Sequence, residues 1–259
     1  KVILILSVFT LLNLTYHLST LVDSQIDLQG AASRGTLMLV SLLISLIGGR
    51  IIPAFTGNWL RQQQRTGSTS AKNVMPASFG SLDLAAVVTT IMLAFSWSLS
   101  PIALHTAVIA LIAGILQLLR LFRWQGHHTV REPLLLSLHI GYGWIGISFL
   151  LLSISLFSDF LPTSAATHAL SIGAMAGLII SVAARAALGH TNRPLAAGRL
   201  ITLAIVAINL TAVARVTATL LPDGYLPLAG GLWLLSFLLF SIRYLPILLS
   251  PAAHQSPLK

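Results

Sequence analysis

The chain has 259 residues, of which 56% are hydrophobic and 8% charged, with a formal net charge of +9 and no cysteine. A soluble domain carries about 25% charged residues, so this composition belongs to an integral membrane protein. The missing cysteines exclude disulfides, Fe–S clusters and thiolate-held metals.

Apolar runs set against turn signals predict an all-α, polytopic transmembrane helix bundle of about eight spans, forming a single domain over residues 1–259. The first run, 1–22, opens at Lys1 without an initiator Met and has no small-residue cleavage site. It reads as the start of a trimmed or longer protein lacking its N-terminal helices, not as a signal peptide. The second run is 34–57, and a polar stretch over 61–80 reads as a loop. The third and fourth, 80–99 and 101–123, share a short Ser-Leu-Ser-Pro turn and form a hairpin. The remaining runs are 133–158, 166–188, 196–221 and 226–250. Pro101, Pro133, Pro162, Pro222 and Pro227 fall at or near boundaries, where proline is tolerated.

Charge checks this count. Connections after the odd helices hold Asp23, Asp27, Asp159 and Asp223, with Arg34 nearby. Those after the even helices hold Arg61, Arg65, Lys72, Arg120, Arg123, Arg131, Arg193 and Arg199, and Lys1, Arg243 and Lys259 fall on the same side. Positive-inside bias then places both termini in the cytoplasm. The basic excess is a topology signal, and no nucleic-acid partner is expected. Trp59, Trp97 and Trp124 fall near predicted interfaces, as belt residues do.

Polar residues at membrane depth are the candidates for function, because each is costly in hydrocarbon unless paired or bound. Helix rise puts His17 about 8 Å and His105 about 6 Å below the outer surface, and His168 is shallow on the same side. Three imidazoles at one depth predict a shared pocket, with His168 and either His17 or His105 as axial haem ligands and the third set to hold copper or a distal site. The plainer alternative is that each is an interfacial residue bonded to water or a carbonyl. Met175 offers a soft ligand or ordinary core packing. Toward the cytoplasm lie Arg50, His139, Arg185, His190 and Arg193, with only Asp83 and Glu132 to neutralise them. An anionic partner such as a haem propionate or a substrate is therefore expected, against simple snorkelling. Gly49 would permit close approach to Arg50. Arg215 lies near the outer end, set to pair with Asp23 or a propionate, and Asn209 is placed to bond across helices. Arg120, Arg123, His127, His128 and Arg131 read as a basic loop. No Walker, dinucleotide-binding or HExxH motif occurs, and no paired carboxylates lie within a span.

Three stretches together resemble the NnrS family. They are Gly49-Arg50-Ile51-Ile52-Pro53-Ala54-Phe55-Thr56, then Pro133-Leu134-Leu135 through Leu138-His139 to Tyr142 and Trp144, and lastly His168-Ala169-Leu170-Ser171 through Arg185 to Gly189-His190-Thr191-Asn192-Arg193-Pro194-Leu195. Asn192 stands where the family pattern has a second Gly, and asparagine enters the left-handed region with little strain. The resemblance implies a multi-pass protein of the bacterial cell inner membrane that holds haem b and copper and serves nitric oxide metabolism or protection from nitrosative stress. Its partners would be the lipid bilayer and nitric oxide or another small diatomic ligand. It marks Arg50, His139, His168, Arg185, His190 and Arg193 without saying which bind metal. Two other functions stay open: a transporter of a small anionic substrate, built on broken helices and the inner arginines, and a scaffold with no chemistry of its own.

Overall fold

The computed structural model describes residues 2–21, 27–67, 74–158, 160–221 and 225–251. Lys1, Asp23, Lys72, Asp159, Pro222, Asp223 and Lys259 lie outside them. Eight helices follow one another, with no strand among the described residues: α1 (Val2–Leu18), α2 (Leu28–Arg65), α3 (Ser81–Leu99), α4 (Leu104–Phe122), α5 (Pro133–Phe157), α6 (Thr163–His190), α7 (Gly198–Thr217) and α8 (Tyr225–Leu249). Seven of them are long and apolar enough to cross a bilayer, and α1 is a shorter apolar helix.

The main departure from expectation is α2. It spans 38 residues, about 57 Å at 1.5 Å per residue, well beyond the roughly 30 Å of a hydrocarbon core. At its outer end Asp27 caps the helix, accepting from the Gly30 N–H at 2.7 Å, and pairs with Arg34 at 3.1 Å. These bonds, the amide first, hold the Asp27 carboxyl below its usual value. At the other end Asn58–Arg65 continues the helix instead of forming a loop, because its Gln, Leu and Arg residues are good helix formers. The chain runs through Pro53 without a break, so α2 lacks the interruption that the transporter reading expected.

The α3–α4 turn is as predicted, and a 2.6 Å Ser96–Thr106 hydroxyl contact closes the hairpin. Helices α2 to α6 enclose one core, built around Trp97, Trp124, Tyr142 and Phe149. A second core joins α7 and α8 to the start of α5 and the end of α6, through Leu134, Ile180, Ile201, Ile208 and Tyr244. Trp97 and Trp124, expected at the interface, are 4% and 2% exposed and belong to the first core. Hydropathy places a tryptophan at a helix end but does not say which way the ring turns.

A buried ion pair ties the first four-helix group together. Arg120 is 1% exposed on α4 and is no loop residue. Its Nε donates to Asp83 Oδ1 on α3 at 2.8 Å. One terminal nitrogen donates to the Ser45 carbonyl and hydroxyl on α2, both at 3.0 Å, and to the Tyr142 hydroxyl on α5 at 2.9 Å. The guanidinium lies 5.3 Å from the Trp124 ring centroid. A side chain at Gly49 would collide with this guanidinium, so Gly49 serves Arg120, where the sequence pointed to Arg50. The second Asp83 oxygen accepts from the Gly80 N–H and from Arg123. One turn along α4, Gln117 donates to Ser45 and Thr90, both at 2.9 Å, and accepts from Tyr142.

Removing one partner of a buried pair leaves the other charge uncompensated and typically costs about 3–5 kcal/mol. Asp83→Ala should lower the unfolding free energy by that amount in denaturant titrations in micelles. A loss smaller than about 1 kcal/mol, the range of exposed ion pairs, would show that this pair does not bind the helices together.

Candidate functional site

The three outer histidines do not share a pocket. His17 and His105 are exposed on α1 and α4, and His168 is half-buried in α6. Their helices have different neighbours: α1 packs on α2, α4 on α3 and α5, and the start of α6 on α5 and α7. Among the described residues no three His, Asp or Glu side chains gather as a metal-holding group. The expected convergence is corrected on this point. Counting residues from a helix end gives depth but not the direction in which a side chain leaves the helix. His168 has Arg215 of α7 within electrostatic reach, a pairing that sequence reasoning did not make.

The other candidates fall into separate places. Arg50 is exposed and lines a cavity with Pro53, Pro76 and Phe79. Arg193 donates to Ser250 at 2.8 Å and to the Ile247 carbonyl, and so pins the end of α8. His190 is exposed at the end of α6. Asn192 does take the left-handed conformation, with φ 54°, and Asn209 does bond across helices, accepting from the Trp144 indole at 2.8 Å. Met175 packs against the first core.

His139 differs from the rest. It is 5% exposed, one turn from Tyr142 on α5 and so beside the Arg120 network. Its Nε2 lies 2.9 Å from the Thr56 hydroxyl. That hydroxyl has one proton, and its bond to the Ile52 carbonyl at 2.9 Å uses it. Thr56 therefore accepts from His139, which assigns the ring proton to Nε2 from the hydrogen-bond network. Nδ1 is left with its lone pair, buried and without a partner. It faces Gly126, where a Cβ would stand 2.5 Å away. Both residues line a cavity of about 640 Å³ whose other walls include Leu118, Phe122, Ile140 and Trp144, with His127 also on it. The rings of His127 and His128 lie 4.2 Å apart between their centroids.

Arg185 faces another cavity, of about 610 Å³, lined also by Phe55, Asn58, Trp59, Gln62 and Glu132. Its guanidinium sits 4.5 Å over the Phe55 ring. Glu132, just before α5, has its carboxyl raised above the usual value by burial, with the Arg185 charge and the Leu134 N–H opposing. The sequence offered Glu132 only as a possible neutraliser.

The family model described as NnrS protein matches residues 1–252. No curated protein and no solved structure matches the chain.

Two outcomes test this geometry. Gly126→Ala should displace the His139 ring and destabilise the fold by about 1–3 kcal/mol, the cost of overpacking, while the same change at Gly189, which has open space around it, should not; denaturant titration separates the two. Because the folded Glu132 carboxyl sits above its ordinary value of 4.5, its contribution to stability is full below that value and is lost as pH rises through the folded one. Thermal unfolding midpoints of Glu132→Gln, scanned upward from pH 4.5, should therefore fall less with pH than those of the parent.

Proposed function

The chain belongs to the NnrS family, and on that premise we propose that it is a haem-binding, multi-pass protein of the bacterial inner membrane that acts on or senses nitric oxide. The observation that carries the haem reading is His139, whose Nδ1 lone pair is buried and unpartnered and whose side chain lines an apolar cavity of about 640 Å³. Imidazole is a common axial donor to haem iron. Metal-bound histidines as a rule spend their other ring N–H on a fixed acceptor, and here that acceptor is Thr56. Gly126, having no Cβ, lets its backbone close over the donor atom, so iron would have to displace that backbone to reach it.

The residues present thus supply one imidazole donor and an apolar wall for a haem. His139 would hold the iron, and Leu118, Phe122, Ile140 and Trp144 would enclose the ring. Bound iron supplies a site for a small neutral gas that partitions into the bilayer. The chain's own part is to fix the imidazole through Thr56, to keep its tautomer, and to surround it with hydrocarbon that excludes water. The same residues do not fit a copper centre. No three ligating side chains come together among the described residues, and no copper ligands are proposed.

Haem-replete protein should show a Soret band and a reduced-minus-oxidised difference spectrum, with iron bound to the chain. His139→Ala should remove most of both, while His17→Ala and His105→Ala keep them. A spectrum and iron content unchanged in His139→Ala would refute the assignment of this ligand. Absence of a Soret band in the parent would refute the haem reading itself.

A further inference from the structure

The Arg185 cavity is chemically unlike the imidazole slot. Its walls come from the polar extension of α2, the cap of α5 and the last turns of α6. Two of its buried atoms lack a hydrogen-bond partner, and they are of opposite character: Arg185 Nε, a donor, and Glu132 Oε1, an acceptor. Each acts electrostatically on the other, yet no ion pair joins them among the described residues. Leaving a charged donor and a charged acceptor unsatisfied in one cavity is costly unless something between them satisfies both. Phe55 holds the guanidinium from one side, so it cannot swing freely toward the carboxylate.

We propose that this cavity binds a zwitterion, with a phosphate or carboxylate group on Arg185 and an ammonium group on Glu132. A simple anion would satisfy Arg185 and be repelled by Glu132, and a simple cation would do the reverse. A molecule carrying both groups answers both orphaned atoms. The side-chain amides of Asn58, Gln62 and Gln63 on the same wall supply further donors and acceptors for its polar parts. Charge bias places this end of the bundle at the cytoplasmic face, and Trp59 and Phe55 add aromatic wall to the cavity. Two sources offer this chemistry there: the headgroup of an aminophospholipid, and a free amino-acid-like zwitterion from the cytoplasm. The proposal does not depend on haem.

Native mass spectrometry of the full chain tests it. The protein is released from nanodiscs made with phosphatidylethanolamine, phosphatidylcholine or phosphatidylglycerol. Calorimetry of delipidated protein with phosphoethanolamine and with glycine forms the second arm. If the ligand is the lipid, phosphatidylethanolamine is retained about tenfold over the other two, equivalent to roughly 1.4 kcal/mol, and the free zwitterions bind no better than to buffer controls. If the ligand is soluble, phosphoethanolamine or glycine binds directly and the three lipids are retained alike. Arg185→Gln and Glu132→Gln each erase the lipid preference in the first case and the binding of the free zwitterion in the second. Equal retention of all three lipids together with no binding of either free zwitterion overturns the proposal, and this comparison needs only the parent protein, whatever the variants do to folding. Equal retention of phosphatidylglycerol and phosphatidylethanolamine over phosphatidylcholine overturns it too, because Arg185 would then be reading the phosphate alone.

Discussion

The Arg120–Asp83 pair is the constraint on which the rest depends. A guanidinium buried at 1% exposure is tolerable only if its charge is opposed and its N–H groups are used. Arg120 meets that demand by taking partners from α2, α3 and α5 at once. Apolar packing alone leaves helices free to slide and rotate in lipid, where no hydrophobic force separates one apolar face from another. A charge with fixed partners on three neighbours removes that freedom. It sets the rotation of α5 at Tyr142 and the depth of α2 at Ser45. One turn from Tyr142 is His139, and three turns from Ser45 is Thr56. The tautomer and direction of the His139 ring thus follow from a contact formed elsewhere, between Arg120 and its partners on three helices.

How much of this was legible in the sequence divides along one line. Position along the membrane normal was legible, because hydropathy, proline and charge bias report it residue by residue. The hairpin at Ser100, the helix boundaries from α3 onward and the family motifs all follow from such signals. Rotation about each helix axis was not, and the errors are of that kind. His17 and His105 share a depth but sit on helices with different neighbours. Trp97 and Trp124 lie at interfacial heights but turn inward. Arg120 read as a loop cation because Arg123 and Arg131 follow it. One signal did point inward: Gln117, one turn before Arg120, is a polar residue within an apolar run. Two polar side chains at that spacing share a helix face, and a shared polar face in lipid implies a partner.

The motifs that mark the family bring together less than their spacing in the chain suggests. Thr56 and His139, from two of the stretches, meet at a hydrogen bond. Arg185 from the third closes a different cavity with Phe55 of the first, and Arg193 holds α8 through Ser250. The same segment of α2 therefore serves two sites on different faces of the helix. Thr56 turns toward α5 and the imidazole, and Phe55 turns toward α6 and the guanidinium. A helix presents successive residues about 100° apart, so neighbours in a motif are obliged to face different surroundings. A contiguous motif in a membrane helix is in that sense two half-sites written in one line.

The slot also has a link to the outer end of the bundle. Helix α6 is not uniform: residues 169–176 form a π-helical segment directly after His168. Such segments are wider than an α-helix, lose its regular bonding, and cost stability unless neighbours support them. The support here is Trp144. Its ring occupies the place a side chain at Gly173 would need, and its indole N–H is held by Asn209 on α7. Trp144 is at the same time a wall of the His139 cavity. Trp144 is thus shared between the π-helical segment of α6 and the cavity beside His139. His168, with Arg215 within electrostatic reach, stands at the point where that winding changes.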